Sequence, residues 1–194
     1  SLANASINMI RELAQKKGLN VSLEIDSSVK MAQVDERRLK QMLNKLLRNA
    51  VKFTPNDGKI GLKIYSNSRQ DMLYFTVWDT GIGISEQELQ MLFQPFVKLD
   101  ADLARGNQGA GLGLVLVSQM AHLHGGRVSV ESEPNKGSHF TIAIPWIAIG
   151  QNLPLTGPTL TTISEDSTTP SSKKYFTILY SIYKFKKEKG TVFV

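Results

Sequence analysis

The sequence predicts an α+β protein, a two-layer sandwich of helices and mainly antiparallel strands. Three stretches carry that reading. From Glu36 to about Phe53, Leu39, Met42, Leu43, Leu46, Leu47 and Ala50 recur at helical spacing and form one apolar stripe. "KIGLKIYS" and "MLYFTVWD" read as paired strands on either side of the polar "NSRQD". "RVSVESE" and "SHFTIAIP" form a closing hairpin across "PNKG".

The remaining elements follow in order. Ala3 to Lys17 reads as one helix with Ile7, Ile10 and Leu13 or Ala14 on its apolar face, and Gly18 ends it. "LNVSLEID" alternates as a strand, and "KMAQVD" is a second, short one. "TPNDG" is a turn cluster. Ser85 and Glu88 form a capping box for a short helix reaching Leu92. Polar residues then run to Gln108. The glycines of "GNQGAGLGLVLV" lead into a helix carrying Leu112, Val115, Leu116, Met120 and Leu123, which closes at Gly125-Gly126.

At 194 residues the chain holds one good core with length to spare. The folded domain is expected over 1–149. Residues 150–172 are rich in Ser, Thr and Pro without a period and read as a flexible linker. Residues 173–194 form a basic, aromatic tail of no assigned role. The chain opens on Ser1 rather than Met, as expected of a segment of a longer protein. With no cysteine, disulfides and thiolate zinc sites are excluded, and a reducing, cytoplasmic setting fits. The longest apolar run, "FTIAIPWIAIG", is too short to span a bilayer and contains a proline. The net charge of +6 suits anionic ligands, but it is spread along the chain without a basic-aromatic array, so no nucleic-acid partner is expected.

Glycine-rich turns that open a helix hold phosphates, because bare N–H groups and the helix dipole both favour an anion. "GAGLGLVL" is not a P-loop, since no Lys-Ser/Thr follows its glycines. A dinucleotide fingerprint fits little better: Gly109 and Gly111 have the spacing and Glu131 lies twenty residues on, but Leu114 takes the third glycine position. A plain loop before a core helix stays open at this point.

Two further constellations bear on it. In "VWDTGIGIS" an apolar strand delivers Asp79 to a turn where Gly81 and Gly83 leave room for a flat ligand, and such a carboxylate can accept from an exocyclic amine. An aspartic-protease reading would need a second such carboxylate and a mostly β fold. On the helix from Glu36, the residues Lys45, Arg48, Asn49 and Lys52 share one side opposite the apolar stripe. Asn among cations suits an amide oxygen for Mg²⁺ beside ammonium groups for phosphates.

In this order the stretches resemble the catalytic ATP-binding domain of sensor histidine kinases, of the Bergerat-fold ATPase and kinase group. The N-box counterpart is "DERRLKQMLNKLLRNAVKFT", the first glycine box "DTGIGI", the phenylalanine box "LFQPF" and the second glycine box "GAGLGL". The resemblance covers about residues 1 to 146. It implies helices on one face of a mixed sheet, with the nucleotide between helices and a mobile ATP lid at about Val97 to Gln108. It also implies ATP and Mg²⁺ as cofactors. Asn49 would coordinate Mg²⁺, Lys52 lie near the phosphates and Phe53 beside the nucleotide. Asp79 would take the adenine amino group, with Gly81, Gly83 and Ile84 shaping that wall. Phe93 and Phe96 would anchor the lid, which would bring Lys98 or Arg105 toward the γ-phosphate. Gly109, Gly111, Leu112 and Gly113 would hold phosphates at the following helix.

The implied activity is phosphorylation of a histidine in a two-component phosphorelay. The partners would be a dimerisation and phosphotransfer hairpin upstream of this chain and the receiver domain of a response regulator. No acceptor motif occurs here: His122 and His124 sit at a helix end and His139 in the final strand. One departure stands out. Many relatives carry an Asn four residues before the Mg²⁺-binding Asn, and here that position is Lys45. Charged lysine does not ligate Mg²⁺, though it can contact phosphate directly, which keeps a non-catalytic nucleotide-binding or docking module of the same fold as the alternative. Gyrase- and chaperone-type ATPases place a Glu as general base early in this helix. Gln41 and Lys45 stand in that region here and argue against hydrolysis.

Overall fold

The computed structural model describes residues 1–29, 31–67, 69, 71–97, 111–146 and 191–193. Five strands form one sheet: β1 (Asn20–Ile25), β3 (Lys59–Ser66), β4 (Met72–Asp79), β6 (Gly137–Pro145) and β5 (Arg127–Glu133), in the order β1-β3-β4-β6-β5. The β1–β3 pairing is parallel and the other three are antiparallel, so the sheet is mixed and mostly antiparallel, as expected. A separate short strand β2 (Met31–Gln33) pairs antiparallel with β7 (Thr191–Phe193). That pairing is the described part of the tail; the linker at 150–172 lies outside the described residues.

Register decides which face is core. Opposite one another lie Leu62 and Val77, Ile64 and Phe75, Phe75 and Ile142, Val77 and Phe140. Because successive side chains point to opposite faces, these residues together with Ile60, Leu73, Ile144 and Val128 form one continuous buried surface. Asp79 and Ser138 face each other at the end of that same surface. The opposite face carries the stacked Tyr65–Tyr74 pair and the hydroxyl contact of Thr76 with Thr141.

Helices α1 (Leu2–Asn8), α3 (Glu36–Phe53) and α5 (Gly113–Leu123) pack onto the sheet, α3 against β3 and β4, and α5 against β5 and β6. The stripe expected on α3 is buried from Leu39 to Ala50. Asp35 caps its N-terminus, accepting from the Arg38 N–H at 3.0 Å. Its C-terminus is closed from a distance. The Lys17 ammonium donates to the Val51 carbonyl at 2.8 Å, to that of Lys52 at 3.3 Å, and to that of Thr54. A cation on a helix's last carbonyls satisfies orphan acceptors and complements the dipole.

Two sequence expectations need correction. The first helix is two: α1 stops at Asn8, and α2 (Arg11–Lys16) begins after a tighter turn in which Ile10 N–H bonds the Ile7 carbonyl at 3.1 Å. That turn keeps Ile10 and Ala14 in the core and leaves Leu13 37% exposed. On α5 the buried residues are Val117 and Ala121, with Leu114 and Met120 packed beside them, while Leu116 and Leu123 are exposed. The helix is apolar nearly all round, so period alone did not select its inner face. The short helix α4 (Glu86–Leu89) has both halves of its capping box, and Leu92 is buried beyond its end.

Candidate functional site

A cavity of about 760 Å³ opens between the polar side of α3, the loop after β4 and the N-terminus of α5. From α3 come Lys45, Arg48, Asn49, Lys52 and Phe53; they follow the helical repeat, so one unbroken helix presents them as a row. The Lys52 ammonium lies 4.6 Å from the centroid of the Phe53 ring. Neither Lys45 nor Arg48 forms an ion pair among the described residues.

The far wall is the end of β4. Asp79 is 6% exposed and lines the cavity. Its Oδ1 accepts the Gly81 N–H at 2.8 Å. Burial pushes its carboxyl above the ordinary value of 3.8, against the opposing pull of that hydrogen bond and of His139. The loop that follows is fastened on three sides. Thr80 N–H bonds the Lys59 carbonyl at 3.0 Å, Ile82 N–H the Phe53 carbonyl at 3.3 Å, and Ile84 N–H the Ser132 hydroxyl at 2.9 Å. Gly81 is required by crowding: a Cβ there would stand 2.6 Å from the Asp79 carboxylate and 2.7 Å from the Phe53 carbonyl.

The third wall is Gly111 to Leu114. The first N–H groups of α5 have no intrahelical partner, among the described residues no side chain caps them, and none comes within 4 Å of a Cβ built on Gly113. An uncapped helix N-terminus over open space attracts an anion. The cavity therefore brings together a buried acceptor, a row of cations and the start of a helix.

Of the residues singled out from sequence, Asn49, Lys52, Phe53, Asp79, Gly83, Ile84, Gly111, Leu112 and Gly113 line this one cavity. Gly81 does not line it, and acts by letting Asp79 and α3 approach. Gly83 does line it, but its φ of 67° and its closeness to the Glu133 carbonyl show a turn requirement as much as room for a ligand. Phe93 packs on the core. Phe96 is 75% exposed with φ at 64°, so its ring is not an anchor; the chain turns there to bring Val97 against Gly111. Lys98, Arg105 and Gly109, and the expected lid from 98 onward, lie outside the described residues.

Sequence reasoning did not find Asn44, whose Oδ1 is buried without a partner, nor Ser138 and Phe140. The last two reach the cavity only through the β4–β6 register, which pairs Ser138 with Asp79.

Comparison with known proteins agrees with this geometry. Residues 34–147 match the family described as histidine kinase-, DNA gyrase B-, and HSP90-like ATPase. The chain is 41% identical over 146 residues to the circadian input-output histidine kinase CikA of Synechococcus elongatus, covering 74% of this chain and 19% of that protein. It is 39% identical over 149 residues to the autoinducer 2 sensor kinase/phosphatase LuxQ of Vibrio vulnificus, covering 73% of this chain and 17% of that one. The chain thus spans about a fifth of the length of these relatives. Among solved structures, full-length ShkA in complex with AMPPNP aligns with a TM-score of 0.66 at 31% identity, over 75% of this chain and 29% of that one. The catalytic domain of histidine kinase ThkA aligns at 0.64 and 27%, over 75% of this chain and 92% of that one. The chain belongs to the histidine kinase-, DNA gyrase B-, and HSP90-like ATPase family, and within it to the type formed by the catalytic domains of histidine kinases.

Proposed function

We propose that this chain is the ATP-binding catalytic part of a sensor histidine kinase. It would supply the γ-phosphoryl group to a histidine on a dimerisation hairpin outside the chain, for onward transfer to a response-regulator receiver in the cytoplasm. The observation that supports this most is that one cavity joins the buried Asp79 to the cationic row of α3 and the uncapped start of α5. A flat base with an exocyclic amine can give its N–H to the Asp79 oxygen not held by Gly81. A polyanionic tail then runs toward Arg48, Lys52 and the α5 amides.

In the transfer, an imidazole nitrogen bonds to the γ-phosphorus as the bond from phosphorus to the bridging oxygen breaks. ADP leaves with that electron pair, and the imidazole proton passes to a base beside the acceptor. The chain's own residues position and neutralise, which is most of the work in phosphoryl transfer.

The resemblance assigns Asn49 to Mg²⁺ held through the ATP phosphates. The donors around it do not build a dedicated metal site, so one amide oxygen would leave most of the coordination to phosphates and water. Mg²⁺ is held through carboxylates and phosphate oxygens. Among the described residues no group of three His, Cys, Asp or Glu side chains could hold a metal. The two acids of the cavity are Asp79 and Glu88, and Glu88 Oε2 is already held by the Ser85 N–H and hydroxyl at 2.9 and 2.7 Å. Asn49 offers a neutral amide oxygen within a row of cations.

A second reading, a non-catalytic nucleotide-binding module of the same fold, is favoured by Lys45. The chain with an acceptor-histidine hairpin appended and given γ-labelled ATP separates the two. Acid-labile, base-stable phosphohistidine is expected; ATP bound without it establishes the second reading, and no ATP binding sinks both.

A further inference from the structure

Lys45 and Arg48 stand one turn apart on α3, both line the cavity, and neither is matched by a carboxylate among the described residues. Lys45 is half-buried and Arg48 exposed, and both cations face the cavity. Two unmatched cations on one wall repel each other, and an anion held between them relieves that repulsion. Asn44 lines the same cavity, and its Oδ1 is buried without a hydrogen-bond donor among the described residues. Arg offers a planar fork to phosphate oxygens, and Lys a compact point charge. The acids of the cavity stand elsewhere: Asp79 at the β4 end holds Gly81, and Glu88 closes its own capping box.

We propose that Lys45 and Arg48 together supply the counter-charge to a nucleotide's phosphates, so that this chain binds a nucleoside triphosphate largely without a divalent cation. The proposal rests on the nucleotide reading above and concerns what neutralises the tail. Lys45 is the specificity-determining member. With an amide in its place, the wall would offer oxygens from two turns of α3 and less positive charge, an arrangement that needs a metal ion to hold the same polyanion. With Lys45 present, an added Mg²⁺ ion meets like charge on approach.

The test is titration calorimetry of the 194-residue chain with AMPPNP, once in Mg²⁺ and once in EDTA, for the wild type, Lys45→Asn and Lys45→Arg. Helical circular dichroism of each variant checks that α3 is intact. For the wild type the two dissociation constants should agree within about threefold, and for Lys45→Arg likewise. Lys45→Asn should weaken by about tenfold or more in EDTA, the scale of one charge-assisted hydrogen bond, and recover most of that in Mg²⁺. A wild type that needs Mg²⁺ as strongly as Lys45→Asn does overturns the proposal and leaves the nucleotide reading standing. No binding in either buffer overturns both.

Discussion

At the β4 end of the cavity one carboxylate, Asp79, is 6% exposed and faces Ser138 across the sheet, whereas at the α3 end Lys45, Arg48 and Lys52 stand half-buried or exposed on a helix side. The buried end works by desolvation. A single acceptor withdrawn from water and oriented by the Gly81 N–H discriminates strongly, because an unmatched partner there loses its hydration for nothing. The open end offers summed charge, where an exposed cation such as Arg48 contributes little and salt screens it. On the proposed nucleotide reading, specificity belongs to the sheet and attraction to the helix, and each claim can be broken separately.

The largest effect is expected at the buried end. Asp79→Asn keeps the size of the side chain but sets an amide donor or a weaker acceptor against the ligand's amine. Nucleotide affinity should fall by about ten- to a hundredfold, the scale of a hydrogen bond to a charged group. The same change should not weaken the empty fold. Because burial raises the Asp79 pKa above 3.8, its carboxyl contributes stability fully below the unfolded value and loses that contribution as pH rises through the folded one. At neutral pH the charged form is therefore the less favourable one to bury. Thermal melts of the ligand-free protein at pH 7 should show Asp79→Asn melting at or above the wild type, with the difference closing in acid. A clear loss of melting temperature alongside unchanged affinity would make Asp79 a structural residue only.

The next effect is in the pH dependence of binding. An ordinary surface aspartate holds its charge until the pH approaches 3.8, but Asp79 takes up its proton earlier on the way down. A protonated carboxyl has one acceptor fewer to give. Affinity for an adenine nucleotide should therefore start to fall at a higher pH than an unperturbed carboxylate would allow, and that part of the profile should be missing in Asp79→Asn. Profiles that superimpose for the two proteins would remove Asp79 from the ligand.

Much of this comparison is visible in the sequence, for identifiable reasons. The strands β3 and β4 and helix α3 fall at the bounds that alternation and helical period give them, because each has one clearly apolar side and marked ends. The cations of α3 and the carboxylate at the end of β4 are placed by the same two periods. What stayed hidden depends on partners distant in sequence or on patterns with no contrast. The break at Met9 and Ile10 carries neither Gly nor Pro. The inner face of α5 is lost in a helix apolar nearly all round. Ser138 and Phe140 enter the cavity through strand register, and the Lys17 ammonium meets carbonyls 34 to 37 positions away. That lysine fixes the end of α3 that carries Lys52 and Phe53, and no local motif marks it.

The smallest effect tests the open end. Arg48 is exposed on the cavity rim, so Arg48→Gln should cost only about two- to fivefold in nucleotide affinity at low salt, in line with exposed charge pairs. Its signature is the response to ionic strength. The screening length falls from about 10 Å at 0.1 M to about 3 Å at 1 M, so the gap between wild type and Arg48→Gln should shrink toward nothing as salt is raised. The gap between wild type and Asp79→Asn should persist through the same titration, because a desolvated hydrogen bond is screened far less. Were the Arg48 gap to hold constant in salt, that guanidinium would be making a direct, water-excluded contact, and the division between a discriminating sheet end and an attracting helix end would have to be redrawn along α3.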